Sequence, residues 1–290
     1  MPQQSDGVCL PSALRPDHPL RGLGYSEPVR RRTFLRLDGP HAEAGEASVA
    51  EEVPVALIYN MRPYAVMMAT PADLEDFAVG FSITEAIVRA AAEIERVAVL
   101  RHAQGIEAQL TIPEAAARRL EERGRSLIGR AGCGLCGVET IQEAMREPDP
   151  LPPGPPISAN ALWRAERELV PRQVWNAETG SLHAAGWFDL DGTAVIVRED
   201  VGRHNALDKV IGALAREGRD PASGFVVVTS RASYELVQKA ATAGVRLLAA
   251  VSRPTGLAIR LAEACGLTLV ALLRGNTANV YTHPERLELR

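Results

Sequence analysis

The stretch FVVVTSRASYELVQKAATAGVRLLAAVSRPTGLAIRLAEACGLTLVALL, residues 225–273, decides the fold. It holds three strand-sized apolar runs, Phe225 to Thr229, Val245 to Val251 and Leu267 to Leu273. Between them lie two helical patterns, Tyr234 to Ala243 and Thr255 to Cys265, each closed by a glycine (Gly244, Gly266) in the position that favours a left-handed C-terminal turn. Apolar strands without polar alternation are buried on both faces. Short helices between such strands predict a largely parallel or mixed sheet with helices packed on it. Working outward, Arg203 to Ala215 is amphipathic through Leu207, Val210, Ile211 and Leu214. Before it, Ser181 to Phe188 and Thr193 to Val197 form a hairpin turning at Asp189-Leu190-Asp191-Gly192, and a helix runs from Ser158 to about Leu169. Residues 157–290 are therefore expected to be an α/β domain binding a nucleotide or cofactor.

Upstream, residues 147–156 contain six prolines and read as a linker. Residues 31–146 are expected to be a smaller α+β part. It has a strand at Thr33 to Leu37, a loop over 39–52, and a hairpin of Val53 to Tyr59 with Tyr64 to Met68. Thr70-Pro71-Ala72-Asp73 reads as the cap and first turn of a helix with Leu74, Phe77 and Phe81 on one face. A second hairpin (Ile94 to Leu100, Ile106 to Ile112), a charged helix (Pro113 to Arg123), a glycine-rich loop and a helix at Val138 to Met145 follow. Residues 1–30, with five prolines and no periodicity, read as a mobile tail.

Composition excludes several classes. With 290 residues, 46% hydrophobic and 23% charged, the chain is neither disordered nor fibrous. No apolar run nears the roughly 20 residues of a membrane helix, and no secretory signal is visible, so a cytoplasmic protein without membrane contact is expected. A net charge of −4 argues against a non-specific nucleic-acid binder. Of the 32 basic residues only Lys209 and Lys239 are lysine, so any anion site must be built from arginine. Four cysteines are too few for a disulfide scaffold.

Three features carry chemistry. The first is Cys133 and Cys136 in Gly132-Cys133-Gly134-Leu135-Cys136-Gly137, with Arg125 and Arg130 nearby. Glycines leave the sulfurs uncovered, and a helix start beside Cys136 favours a thiolate, so the pair suits persulfide chemistry. Half of a zinc site is the bland alternative, but a second C-x-x-C or H-x₃₋₅-H is missing, so no metal is expected. His41-Ala42-Glu43 matches the H-x-E of zinc deaminases but lies in a polar stretch far from the cysteines, with Gly132 where proline is needed. The second feature is three strands ending in Thr229-Ser230-Arg231, Ser252-Arg253-Pro254 and Arg274-Gly275-Asn276-Thr277. Ligands of open α/β sheets bind at such carboxyl ends, where Arg231, Arg253 and Arg274 suit phosphates. Each alone is equally a solvated surface arginine. The third is the charged stretch Arg198 to Lys209 before a helix, which suits an anion at a helix N-terminus or simple capping by Asp200 or Asn205. His183 reads as an ordinary half-buried histidine.

Together, Gly129 to Gly137, Glu199 to Lys209, Asn279-Val280-Tyr281-Thr282 and Val53 to Leu57 with its hairpin resemble the formate dehydrogenase accessory sulfurtransferase family (FdhD) over about residues 31 to 287. The resemblance implies a cytidine-deaminase-like main domain without the zinc site. It implies a sulfurtransferase of the sulfur-carrier type: persulfide sulfur is taken from a cysteine desulfurase and passed to the molybdenum cofactor in its bis-molybdopterin-guanine-dinucleotide form, for formate dehydrogenase. GDP would mimic that cofactor, and a homodimer is implied. Carried over, Cys133 matches the persulfide position and Cys136 its partner. Leu273, Arg274, Gly275, Asn276, Thr277 and Ala278 match the cofactor-binding segment, to which Arg231, Arg253 and His204 are added from the reading above. Two readings from other classes are a non-catalytic cofactor-binding chaperone and a thiol–disulfide oxidoreductase.

Overall fold

The computed structural model describes residue 18 and residues 20–125 and 146–288. Cys133, Cys136 and the helix expected at Val138 to Met145 lie outside the described residues. In the C-terminal half, β8 (His183–Asp189), β9 (Ala194–Asp200), β10 (Gly224–Val228), β11 (Leu247–Ala250), β12 (Thr268–Arg274) and β13 (Thr277–Val280) form one sheet in the order β13-β12-β11-β10-β8-β9. Strands β10, β11 and β12 run parallel, and the flanking pairs are antiparallel, so the sheet is mixed. All of β10 and β11 is buried. Alternate residues serve opposite faces. Val226, Val228, Leu248, Ala250, Leu269 and Ala271 pack toward helices α5 (Arg203–Arg216), α6 (Tyr234–Thr242) and α7 (Gly256–Cys265). Phe225, Val227, Leu247, Ala249 and Val270 pack toward helix α3 (Ala159–Leu169).

The N-terminal half builds a second sheet, β4-β3-β6-β5, from β3 (Val53–Tyr59), β4 (Arg62–Ala69), β5 (Arg96–His102) and β6 (Gly105–Thr111). Helix α1 (Leu74–Thr84) joins the halves, because nearly all of it is buried against α5. Glycines set that contact. A Cβ on Gly80 would stand 1.7 Å from the Asp208 carbonyl oxygen, and one on Gly212 would stand 1.8 Å from that of Asp76. One apolar core consequently runs from Val53 to Ala271 across both halves.

Several local expectations change. The loop expected over 39–52 is strand β2 (His41–Ala50), paired antiparallel with β1 (Val29–Asp38) through a two-residue turn at Gly39 and Pro40. This ribbon is exposed on both sides, so no apolar alternation marked it. It also takes His41 and Glu43 out of a loop and into an exposed strand. Part of the tail is ordered: Leu23–Tyr25 forms a 3₁₀ turn with Gly24 buried against the carbonyls of His102 and Gly105. Helix α1 begins at Leu74 rather than after Thr70, and Asp73 before it has φ 51° and no capping bond. The polar groups of Thr70 are engaged elsewhere, as described below. The proline-rich stretch is fastened to the C-terminal half: Leu151 donates its N–H to the Cys265 carbonyl at 2.9 Å, and Gly154 lies against Arg246. Among the described residues, no helix is long and apolar enough to cross a membrane.

Candidate functional site

The parallel strands β10, β11 and β12 place their carboxyl ends side by side. Beyond the strands the pairing continues, with Val251 N–H bonded to Val228 O at 3.0 Å, an isolated bridge between Ala232 and Pro254, and Leu272 N–H bonded to Ser252 O at 3.1 Å. Arg231, Arg253 and Arg274 follow these ends and are all exposed. Among the described residues none of the three has an ion-pair partner. Each of the three arginines thus follows one of three neighbouring strand ends.

The segment Leu273–Ala278 closes that edge. Just before it, Leu272 has φ 55°, a left-handed conformation that costs a branched residue about 1 kcal/mol, and a bulge interrupts the β12–β13 register. Leu273 is buried, Arg274 to Thr277 are exposed, and the turn is closed by Thr277 Oγ1 donating to Arg274 O at 3.0 Å. Asn276 borders an open cavity of about 520 Å³ whose other walls include Ser158, Trp163, Arg164, Arg167 and Asp191. Residues Trp163, Arg164 and Arg167 escaped the sequence reading. The signal that could have found them is an aromatic and two arginines within about one turn of a single helix.

The charged stretch Arg198 to Lys209 turns out to be mostly internal bonding. Asp200 and Lys209 form a fully buried pair at 2.7 Å. Asp200 also accepts from the N–H groups of Thr70 and Gly202, and Lys209 donates to the carbonyls of Thr70 and Glu199. Thr70 Oγ1 in turn accepts from Val201 N–H at 3.1 Å. Glu199 accepts from Trp175 and Asn176 N–H at the start of helix α4 (Val174–Thr179). Arg198 holds Asp76. Asp208 pairs with Lys239 at 3.0 Å and accepts from Thr84 Oγ1 at 2.7 Å. Burial opposes charge on Lys239, but Asp208 and Glu85 outweigh it and keep the ammonium protonated, while burial lifts the Asp208 carboxyl to about 6. Both lysines of the chain are thus buried, where a compact ammonium meets several acceptors that a planar guanidinium would not fit. Neither Asp200 nor Asn205 caps α5, whose N-cap is Gly202.

His204, in the first turn of α5, reaches the first turn of α6. Its Nε2 is 3.1 Å from Glu235 Oε2 and 3.4 Å from Ser233 Oγ. Burial, then Arg203 and Lys239, push its pKa down to about 3, so the imidazole is neutral at physiological pH. His183 is also lowered, by burial and Arg203. On the other side of the same helical turn, Tyr234 donates its hydroxyl to Arg146 O at 2.9 Å, and the Arg146 guanidinium pairs with Glu85. Arg146 lies ten residues after Cys136 in the chain. A sequence model of the FdhD/NarQ family matches residues 50–288.

The chain belongs to the FdhD/NarQ family.

Curated relatives of this FdhD/NarQ chain agree. It is 52% identical over 258 residues to the sulfur carrier protein FdhD of Xanthomonas axonopodis pv. citri (strain 306), a match covering 89% of this chain and 92% of that protein. It is 50% identical over 258 residues to the sulfur carrier protein FdhD of Bordetella petrii, covering 88% and 93%. In fold it is similar to a crystal structure from Desulfotalea psychrophila, provisionally described as a formate dehydrogenase accessory protein, with a TM-score of 0.71 at 24% identity over 90% of this chain and 99% of that one.

Proposed function

We propose that this FdhD/NarQ protein is a sulfurtransferase that holds sulfur as a persulfide on Cys133, assisted by Cys136, and delivers it to the molybdenum cofactor in its bis-guanine-dinucleotide form before that cofactor enters formate dehydrogenase. In the loading step the Cys133 thiolate attacks the outer sulfur of a cysteine desulfurase persulfide. One S–S bond forms, the donor's S–S bond breaks, the proton stays on the outer sulfur, and the donor leaves as a thiolate. The protein acts in the cytoplasm as a homodimer.

The observation that carries this reading is the bond from Tyr234 to Arg146. It fixes the downstream root of the cysteine segment at the first turn of α6, on the edge where β10, β11 and β12 end. Ten residues span at most about 35 Å, so Cys136 is within chain reach of that edge. Arg231, Arg253 and Arg274, which have no ion-pair partner among the described residues, supply charge for the cofactor's phosphates, and Asn276 with its neighbouring cavity offers amide and aromatic groups to a guanine. The cofactor, as substrate, supplies the metal that accepts the sulfur; the chain's own residues bind and orient its nucleotide ends.

The test is mass spectrometry after treatment with desulfurase and cysteine, beside formate dehydrogenase activity in cells. Cys133→Ala is expected to lose both the added sulfur and maturation. Cys136→Ala is expected to load sulfur but mature the enzyme poorly. Full activity in both variants overturns the sulfur-carrier reading. Stoichiometric metal with no sulfur adduct favours a chaperone, and turnover through a Cys133–Cys136 disulfide favours an oxidoreductase.

A further inference from the structure

The cavity of about 520 Å³ beside Asn276 has the size of a small-molecule site. Several charged side chains around it are committed to the fold. Arg164, on its wall, donates to Glu168, which also accepts from Ala194 N–H and pairs with Arg172. Asp189 Oδ1 accepts from Asp191 N–H at 3.1 Å and from Thr193 N–H at 2.8 Å. Two charged groups on the wall remain, Asp191 and Arg167, and neither side chain has a hydrogen-bond or ion-pair partner among the described residues. Asp191 is the one carboxylate among the described residues that line the cavity. Backbone fixes its place. Gly192 N–H donates to Asp189 O at 2.9 Å and closes the β8–β9 turn. Gly192 has φ 80° and lies so near α3 that a Cβ on it would stand 2.1 Å from the Ala161 carbonyl oxygen. The turn carrying Asp191 is therefore held against the helix that carries Trp163 and Arg167.

These free groups set the chemistry of an occupant. Half-buried Trp163 offers an indole surface to a flat ring. Arg167 suits a phosphate. A carboxylate only accepts hydrogen bonds, so Asp191 calls for a ring edge with two adjacent N–H donors. Guanine has that edge in its N1–H and 2-amino group. Adenine turns a lone pair at N1 toward the same place, and the carboxylate repels it. Hypoxanthine keeps N1–H but lacks the amino group, so it makes one of the two bonds.

We propose that Asp191 selects guanine over other bases in this cavity, by accepting from N1–H and the 2-amino group of a ring stacked on Trp163. That the natural guanine belongs to the molybdenum cofactor rests on the reading above. Asn276, two residues from Arg274, connects the cavity to the strand-end arginines assigned to the phosphates.

The experiment titrates full-length protein with GDP, inosine diphosphate, ADP and xanthosine diphosphate by calorimetry. Wild type is expected to bind GDP most tightly, inosine diphosphate less tightly and ADP least. Asp191→Asn is expected to weaken GDP roughly tenfold to a hundredfold, the worth of a charge-assisted hydrogen bond. Xanthine carries an oxygen where guanine carries its amino group, so its diphosphate is expected to bind Asp191→Asn more tightly than it binds wild type, with the amide donating to that oxygen. A merely structural role for Asp191 would not produce this gain. Trp163→Leu is expected to weaken GDP and ADP by a similar factor, since stacking does not read the ring edge. The Asp191 carboxylate holds nothing among the described residues, so Asp191→Asn is expected to melt with wild type. GDP bound by wild type with the same preference over ADP in Asp191→Asn, or no gain for xanthosine diphosphate, would overturn the assignment and leave the cofactor reading standing. No GDP binding by wild type would overturn both. Persulfide loading is read on the cysteines and is independent of either result.

Discussion

Gly80→Ala opposes two effects of known sign. In an exposed helix the change stabilises by about 1 kcal/mol. Here the new methyl would stand 1.7 Å from the Asp208 carbonyl oxygen and 2.7 Å from Gly212 N. Both obstacles are backbone inside α5, so no side chain can swing away. Reaching an ordinary contact requires α1 and α5 to part by roughly 1.5 Å, and a gap of only 0.5–1 Å forfeits about a quarter to a half of each dispersion contact. The contacts at stake join Phe77, Ala78 and Phe81 to Leu207, Val210 and Ile211 in the shared core. Overpacking of this kind costs typically 1–3 kcal/mol and sometimes more. A net loss of about 3 kcal/mol corresponds to a fall of roughly 6–12 °C in melting temperature for a chain of this size. Gly256→Ala is the control, because at the start of α7 its methyl meets only the far end of Arg260 at 3.7 Å. Calorimetric melting should show Gly80→Ala well below wild type and Gly256→Ala at or above it. Equal melting temperatures for the two variants would refute the close-crossing argument.

Lys209→Met leaves Asp200 buried without its counter-charge and should cost about 3–5 kcal/mol, read from urea midpoints; a loss under about 1 kcal/mol would mean the pair is not desolvated as described. Arg274→Ala should weaken GDP roughly tenfold to a hundredfold by calorimetry, and unchanged affinity in this and the Arg231→Ala and Arg253→Ala variants would remove the strand-end edge from the site. The pH prediction follows from His204, whose folded pKa is depressed to about 3 from 6.5. Below pH 6.5 the unfolded chain binds a proton that the folded state refuses, so stability from this group is lost as pH falls toward 3. Relative to His204→Gln, wild type should lose up to about 2 kcal/mol between pH 7 and pH 5. Parallel pH profiles for the two proteins would show that His204 titrates normally.

The strands from Phe225 onward were legible because burial on both faces leaves long apolar runs, and their order along the chain forces the parallel core. Strand β2 was not legible. His41 to Ala50 stays mostly exposed although it meets α4, so no hydrophobic period marks it, and its pairing with β1 makes it a strand. The start of α1 was misplaced for a different reason. Thr70-Pro71-Ala72-Asp73 has the composition of a cap, but the N–H, hydroxyl and carbonyl of Thr70 are committed to Asp200, Val201 and Lys209, more than a hundred residues away. Sequence reading sees the local option and not the distant competitor. The same blindness hid the pairing within Arg198 to Lys209: the stretch read as an anion site or a helix cap, but Glu199, Asp200, Asp208 and Lys209 are committed to partners that sequence spacing does not show.

The Gly80–Gly212 crossing also bears on how the chain is made. Helix α1 is complete at Thr84, but the surface it needs, α5, is not finished until Arg216, roughly 130 residues and about 7–26 s of synthesis later. During that interval Phe77, Val79 and Phe81 have no partner helix and the N-terminal sheet has an open face. The nascent chain is therefore a prolonged client of whatever guards hydrophobic surface at the ribosome exit, and a product stopped near residue 150 should be degraded rather than persist as a free domain.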